Sequence, residues 1–191
     1  GTLPSREYAI TCGDGSVRTV DMAGVLLDGA CLITMVDLSQ HKAAEEEIHY
    51  LAYYDPLTQL PNRRLLVDRL QQALAASVRR GRCGAVLMLD LDNFKTLNET
   101  QGHERGDMLL RQVAQRLRGC VQNEDTVARH GGDEFVVVLE DLGQSPQGAA
   151  ARAEEMGQKI LAAMRHPFML EGEAHHTTLS MGVTVFQGAR E

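Results

Sequence analysis

The sequence lacks both a long apolar run and a block of basic residues. No apolar stretch approaches the ~20 residues that a membrane-spanning helix needs, so we predict no membrane segment in this chain. The formal net charge is -7 at pH 7, whereas tight binding to a nucleic-acid backbone needs a basic face. We therefore expect no polymeric nucleic acid as a partner. A single nucleotide stays open, because a metal ion can neutralise its phosphates.

The cysteines form no Cys-x-x-Cys pair, and they are widely spaced along the chain: Cys12, Cys31, Cys83 and Cys120. This spacing indicates neither a zinc site nor a disulfide framework. We therefore expect a reducing, cytoplasmic location. A membrane tether elsewhere in a longer parent protein stays compatible with this expectation.

The N-terminal residues have the pattern strand, turn, strand, turn, strand. Gly13-Asp14-Gly15-Ser16 is a strong hairpin signal, and Leu27-Asp28-Gly29 is expected to form the second turn. Strands are predicted over residues 8–12, 17–23 and 30–36. Three antiparallel strands are marginal alone, so this segment indicates part of a domain whose beginning is absent.

A helix is predicted from Gln40 to about Tyr53, with Asp37 or Ser39 as its cap. Its apolar positions follow helical spacing: Ala44, Ile48, Leu51 and Ala52. One narrow apolar stripe with charged flanks is typical of a two-helix dimer seam. A solvated linker helix packed on its own domain fits a stretch this short equally well.

The remaining residues alternate between helical and extended patterns. Helices are predicted over 63–80, 94–100, 105–118 and 147–164, and strands over 85–89, 126–129, 134–139 and 176–186. This order predicts an α+β fold, with an antiparallel or mixed sheet and helices on one face.

Two aspartates follow the apolar run that ends at Leu89. In a strand, Asp90 and Asp92 share one face. A carboxylate there is costly unless it is hydrogen-bonded, ion-paired or metal-bound. Helix capping is the plain alternative, and it suits Asp92 better than Asp90.

Gly131-Gly132 separates two short strands and is followed at once by Asp133 and Glu134. Two glycines let a ligand's phosphates approach the backbone. If this hairpin lies beside the strand ending at Asp90, three carboxylates converge, and their hard oxygen atoms suit Mg²⁺. A solvent-exposed turn carrying acids is the alternative.

Asn98 and Asp107 carry an amide and a carboxylate that can hydrogen-bond to the edge of a guanine base. Gly102 and Gly106 leave space for the base. As single residues, Asn98 and Asp107 are more often helix caps.

Several segments occur together in the order and spacing of the GGDEF family: Asp55–Arg63 (DPLTQLPNR), Asp90–Lys95 (DLDNFK), Asn98–Asp107, Gly131–Phe135 (GGDEF) and Ser180–Val183 (SMGV). From Asp55 to Glu191 the chain therefore resembles a GGDEF domain. The resemblance implies a fold similar to nucleotide cyclases and the polymerase palm. It also implies that a homodimer with Mg²⁺ (or Mn²⁺) condenses two GTP molecules into cyclic di-GMP.

The resemblance also implies roles for individual residues. The metal ligands would be Asp90, the backbone carbonyl of Leu91, Asp133 and Glu134. Asp133 and Glu134 would be catalytic, and which acid takes the proton is open. The GTP-binding residues would be Asn93, Phe94 and Lys95 at the phosphates, Asn98, His103 and Asp107 at the guanine and ribose, and Gly131 and Gly132 in the hairpin.

The sequence departs from the family pattern in three places. Gln122 stands where many active members carry the arginine of Arg-x-x-Asp, although Asp125 is present, so we expect no product-inhibition site. His130 stands where Tyr is frequent, and Gln59 where Gly is frequent. The family's final helix and strand, with basic residues for the triphosphate, do not follow Phe186, so we expect this piece to be poorly active.

The N-terminal segment resembles the C-terminal part of a PAS sensor domain. We therefore expect a PAS-like fragment over 1–38, a signalling helix over 39–54 and a GGDEF domain without its final elements over 55–191. The leading hypothesis is a sensor-regulated diguanylate cyclase. The alternative is a catalytically silent GTP-binding module controlling an attached domain such as an EAL phosphodiesterase, because Pro167–Gly172 resembles a stretch found in GGDEF domains that are followed by an EAL domain.

Overall fold

The computed structural model describes residues 2–27 and 30–187. The chain divides into two compact units, Gly1–Leu51 and Ala52–Glu191. Within the described residues, no helix is both long and apolar enough to cross a membrane.

The first unit is an antiparallel sheet with the strand order β1-β2-β3. Its strands are β1 (Thr2–Thr11), β2 (Val17–Leu27) and β3 (Ala30–Asp37). The predicted first turn is present, since the Ser16 N–H donates to the Asp14 carboxylate at 2.9 Å. In the second predicted turn, Asp28 and Gly29 lie outside the described residues. Every residue of β3 is exposed, and the assignment of this unit to a PAS domain stays a prediction.

Helix α1 (Ser39–Tyr53) follows β3 directly. Asp37 acts as its cap, because the Ser39 N–H donates to the Asp37 carboxylate at 2.9 Å. This backbone hydrogen bond, with those from the Ser39 hydroxyl and Arg18, lowers the pKa of Asp37 to about 2. Of the two residues predicted as the cap, Asp37 and Ser39, the geometry favours Asp37.

The second unit contains a sheet with the strand order β5-β6-β4-β9. All its pairings are antiparallel, which confirms the α+β prediction and removes the mixed-sheet alternative. In chain order its elements are α2 (Arg63–Arg80), β4 (Gly84–Leu91), α3 (Phe94–Gln101), α4 (His103–Cys120), β5 (Thr126–Gly131), β6 (Glu134–Leu139), α5 (Pro146–Met164), β7 (Phe168–Leu170), β8 (Glu173–His175) and β9 (Leu179–Phe186).

The prediction of helices on one face of the sheet is wrong, because both faces are covered. One apolar cluster joins alternate residues of β4 and β6 to α3, α4 and α5. The other joins Leu66 and Ala73 of α2 to Ala128, Val136 and Val138. The run Phe135–Leu139 is buried throughout. A continuously apolar strand of this kind is typical of a sheet covered on both sides.

The bounds of α2 agree with the prediction at both ends. The Asn62 side chain accepts from the N–H groups of Arg64 and Leu65, and Gly81 ends the helix with φ 65°. Both signals were local, which is why the sequence was sufficient here.

The hairpin formed by β7 and β8 was missed. Its strands have only three residues each, and its turn carries Glu171 (φ 52°) and Gly172 (φ 88°). Asparagine, aspartate and glycine are the residues that usually signal such a turn. The extended stretch predicted from His176 becomes a strand only at Leu179.

Candidate active site

The strand register places Asp90 directly opposite Glu134 in the β4–β6 pair. Asp90 is exposed at the end of β4, and Glu134 begins β6 half-buried. Partial desolvation of its carboxylate by neighbouring atoms raises the pKa of Asp90, and the negative charges of Asp133 and Glu134 raise it further. Asp90 therefore lies opposite Glu134 and interacts with Asp133 at one end of the central strands β4 and β6, and their shared role as a site stays a prediction.

The Gly-Gly hairpin is tied down from two sides. Arg129 donates from Nε and Nη2 to the Gly132 carbonyl at 3.0 and 2.7 Å. The Leu91 N–H donates to the Asp133 carbonyl at 3.3 Å. Gly132 has φ +49°, and a Cβ atom added at Gly131 or Gly132 would meet nothing within 4 Å. The loop therefore leaves open space on its outer side, as a site for phosphate groups requires.

Arg129 also holds the Asp55-Pro56-Leu57-Thr58 turn against this hairpin. Its Nη1 lies 3.0 and 3.1 Å from the two oxygens of Asp55, with side chains only 14% and 19% exposed. Burial pushes the pKa of Asp55 up, but hydrogen bonds from Thr58 and the Arg129 charge outweigh it, so the pKa is lowered. Sequence reasoning gave Arg129 no role, although an arginine in a half-buried strand beside Gly-Gly was a usable signal.

Asp92 is not a helix cap, contrary to the plain alternative for it. Its carboxylate accepts from the Thr178 hydroxyl at 2.5 Å and from the Ser180 hydroxyl at 2.8 Å. The cap position of α3 is Asn93, which has φ 61° and no side-chain capping bond. Asp92 therefore joins the end of β4 to the start of β9.

The corner between α3 and α4 brings Asn98 close to Gly106. A Cβ atom at Gly106 would lie 2.0 Å from the Asn98 Oδ1, so glycine is required for this approach. Asp107 follows Gly106, half-buried like Asn98. Across residues 2–27 and 30–187, neither the Asn98 nor the Asp107 side chain has a hydrogen-bond partner. Both side chains are therefore available to a ligand.

A comparison with known families matches residues 52–191 to the family described as "Diguanylate cyclase, GGDEF domain". This chain belongs to the GGDEF family. The bifunctional diguanylate cyclase/cyclic di-GMP phosphodiesterase MucR of Pseudomonas aeruginosa is 42% identical over 145 residues, covering 76% of this chain and 20% of MucR. Diguanylate cyclase TpbB of P. aeruginosa is 38% identical over 136 residues, covering 71% of this chain and 30% of TpbB.

Solved structures agree with the family assignment. The GGDEF domain of TpbB from P. aeruginosa aligns with a TM-score of 0.66 and 38% identity, covering 70% of this chain and 76% of that one. A sensory box/GGDEF family protein from Caulobacter crescentus aligns with a TM-score of 0.65 and 36% identity, covering 70% and 83%. The chain spans only 20% of MucR and 30% of TpbB, so the activity of the whole protein belongs to the proposals below.

The other residues predicted to bind GTP lie at the start of α3 and at the start of α4. Asn93 and Phe94 line a cleft of about 420 Å³ together with Thr177 and Thr178. Lys95 is exposed and lies 3.7 Å from Glu99 on the same helix. His103 is exposed at the start of α4. The backbone at Asn93 and Phe94 thus borders the cleft, whereas the Lys95 side chain pairs along the helix surface.

The donor set of the GGDEF hairpin fits a hard divalent cation. Asp90, Asp133 and Glu134 all offer carboxylate oxygens, the atoms that Mg²⁺ prefers. The negative charges of Asp133 and Glu134 also raise the pKa of Asp90. Glu134 Oε2 lies 2.9 Å from His130 Nδ1. Among residues 2–27 and 30–187, no group of three or more His, Cys, Asp or Glu already has the spacing of a metal site.

Asp125 serves the backbone at the position of the family's product-inhibition motif. Its carboxylate accepts from the Gln122 N–H at 3.0 Å and from the Glu140 N–H at 3.3 Å. Burial raises the pKa of Asp125. The Asp125 carboxylate therefore binds backbone N–H groups, and Gln122 supplies no positive charge beside it.

Proposed function

We propose that this chain is the catalytic GGDEF domain of a diguanylate cyclase, which condenses two GTP molecules into cyclic di-GMP and two pyrophosphates. The observation that carries the proposal is that Asp90 lies opposite Glu134 and interacts with Asp133 at one end of the two central strands, β4 and β6. These acids are held by strand register and by the Arg129 anchor. The negative charges of Asp133 and Glu134 raise the pKa of Asp90, so a bound cation that neutralises this repulsion explains why three acids lie here.

In the proposed reaction, the 3′-hydroxyl oxygen of one GTP attacks the α-phosphorus of the other. A P–O bond forms, the bond to the β-phosphate oxygen breaks, and pyrophosphate leaves. Asp133 is the proposed proton acceptor, because its carboxylate has no partner in the described part of the chain, whereas Glu134 contacts His130. Asp90, Asp133, Glu134 and the Leu91 carbonyl would hold Mg²⁺, which supplies charge neutralisation at the phosphates when bound.

Substrate orientation is assigned to the α3–α4 corner. Asn98 and Asp107 would hydrogen-bond to the guanine edge, with His103 beside the nucleoside. The backbone from Asn93 to Lys95 would contact the phosphates, since α3 begins there with uncapped N–H groups. These interactions fix the α-phosphate relative to the attacking hydroxyl, and positioning is the main source of rate in phosphoryl transfer.

The proposed enzyme works as a homodimer, because each GTP provides the nucleophile for the other. Helix α1 supports this arrangement. Ile48 and Leu51 belong to its apolar stripe, and one apolar stripe with charged flanks is typical of a dimer seam. We propose that residues 1–38 belong to a PAS-like sensor whose signal reaches residues 55–191 through this helix.

The test uses the protein at its natural length, incubated with GTP and Mg²⁺, with chromatographic detection of cyclic di-GMP. We expect product from the natural sequence and none from Asp133→Ala. Asp68→Asn is the matched control, because Asp68 is exposed and contacts only Gln72 of its own helix in the described structure. No product from a folded protein that binds GTP would refute the catalytic proposal.

That outcome would instead support the second candidate, a GTP-binding module that controls an attached phosphodiesterase. The name of the relative MucR, a bifunctional cyclase and phosphodiesterase, favours this candidate over a purely structural role. An EAL phosphodiesterase domain beyond this chain is the proposed neighbour in that case.

A further inference from the structure

Arg105, in the first turn of α4, joins three separate elements through one guanidinium group. Its Nε lies 2.8 Å from Glu171 Oε2, and its Nη1 lies 2.9 Å from Glu173 Oε2. The same Nη1 donates to Gln101 Oε1 at 2.9 Å. The side chain is 21% exposed. It thereby connects the end of α3 and the start of α4 to the turn of the β7–β8 hairpin.

Glu171 adopts a conformation that its residue type disfavours. It has φ 52° in a two-residue turn, where asparagine, aspartate and glycine are the usual residues. The backbone therefore gives no reason for glutamate at this position. The ion pair with Arg105 gives a reason for glutamate, because Glu171 and Glu173 together present two carboxylates to one guanidinium group.

The hairpin has other anchors that do not involve Arg105. Gln112 donates to the Met169 carbonyl at 2.8 Å and accepts from its N–H at 3.3 Å. Arg116 donates to the Pro167 carbonyl at 3.1 Å and stacks 3.6 Å from the centre of the Phe168 ring. Since these contacts hold the hairpin on α4, the Arg105 ion pairs act mainly on the other elements that they reach.

Those other elements form the corner between α3 and α4. Gly102 connects the helices with φ 87°, and Asn98 and Asp107 lie on either side of it. The separation of these two side chains depends on the angle at Gly102. Arg105 spans this junction by contacting Gln101 before it and the hairpin beyond it.

We infer that Arg105 is a positioning residue for guanine recognition, holding Asn98 and Asp107 at the spacing that a guanine edge requires. This inference rests on the proposed function, because it assigns guanine to that corner. Arg105 itself contacts neither the base nor the phosphates in this scheme.

The decisive measurement is the Kd for a non-hydrolysable GTP analogue with Mg²⁺, together with kcat and KM for GTP. We expect Arg105→Ala to weaken analogue binding and raise KM about tenfold, with kcat changed less than about twofold. Arg105→Lys should recover part of the affinity, because it keeps the charge but not the fork geometry. Arg111→Ala, an exposed arginine on the same helix, is the control and should bind normally.

A second variant removes the ion pairs without weakening the turn. Glu171→Asn combined with Glu173→Gln places a residue that tolerates positive φ in the turn and deletes both charges. It should reproduce the Arg105→Ala affinity loss at an unchanged Tm. Normal binding by both variants would overturn the inference, whatever their stability. Failure of the proposed catalytic function would look different, because the natural sequence itself would then form no cyclic di-GMP from GTP, even where it bound the analogue normally.

Discussion

Neutralising Asp90 should stabilise the metal-free protein while removing its response to Mg²⁺ and GTP. The Asp90 carboxylate faces the charges of Asp133 and Glu134, and within the described residues it has no hydrogen-bond partner. Asp90→Asn keeps the shape of the side chain and removes this repulsion. Asp90 is exposed, so solvent screening limits the gain in the free energy of unfolding to about 0.5–1 kcal/mol.

The opposite sign is expected for Asp92, only two residues away. Its carboxylate accepts hydrogen bonds from Thr178 at 2.5 Å and Ser180 at 2.8 Å, and these bonds lower its pKa. Asp92→Asn keeps one acceptor oxygen and replaces the other with an NH₂ donor, so one hydroxyl can no longer donate to a charged oxygen. A hydrogen bond to a charged group contributes about 1.5–3 kcal/mol when buried. The half-exposed position reduces the expected loss to about 1 kcal/mol.

Thermal unfolding of both variants, first with EDTA and then with Mg²⁺ and a GTP analogue, separates these effects. For a chain of this size, 1 kcal/mol corresponds to about 2–4 °C in Tm. Without metal, Asp90→Asn should melt about 1–4 °C higher and Asp92→Asn about 2–4 °C lower. The ligand-induced rise in Tm should vanish for Asp90→Asn. A common direction of change without metal, or a full ligand response in Asp90→Asn, would refute the electrostatic reasoning.

Further predictions concern the anchor of the hairpin and the α3–α4 corner. Arg129→Met should lower the free energy of unfolding by about 2–3 kcal/mol in urea titrations, because the mostly buried Asp55 carboxylate loses its cation and keeps only the hydrogen bonds from Thr58; a loss below about 0.5 kcal/mol would contradict this. Because the folded pKa of Asp55 is lowered, its stabilisation is present above the unfolded value near 4 and is lost as the pH falls through the folded value. Arg129→Met should therefore lose less stability than the natural sequence between pH 6 and pH 3. Gly106→Ala should weaken GTP-analogue binding more than about tenfold by displacing Asn98, whereas Gly119→Ala on the same helix meets nothing within 4 Å and should bind normally.

The sequence was most informative where a signal is local. Asn62 and Gly81 set the ends of α2 because capping depends on a few neighbouring residues. The positions of the acids were also predictable from motifs, since Asp90 lies at the end of one apolar strand and Asp133 directly precedes another. The face on which α2 packs was not predictable in the same way, because it depends on contacts between residues distant in sequence.

The Arg105 contacts were hidden for a different reason. The hairpin that supplies Glu171 and Glu173 has very short strands and an unusual turn residue, so its existence was not apparent from pattern. Arg105 itself looks like any polar residue in the first turn of a helix. Only the fold brings its guanidinium to two glutamates more than 60 residues later, at positions 171 and 173.

The position of the acids is determined mainly by apolar residues of β6. Phe135 and Val137 are buried against α4 and α5, and Val136 is buried against α2. Because side chains alternate across a strand, a slip of one residue would move Phe135 into the space that Val136 fills against α2, and would put a smaller valine into the space that Phe135 fills. That cost fixes the register that places Glu134 opposite Asp90. The irregularity between Arg129 and Gly131 then lets the hairpin change direction without disturbing this pairing, as bulges beside active sites commonly do.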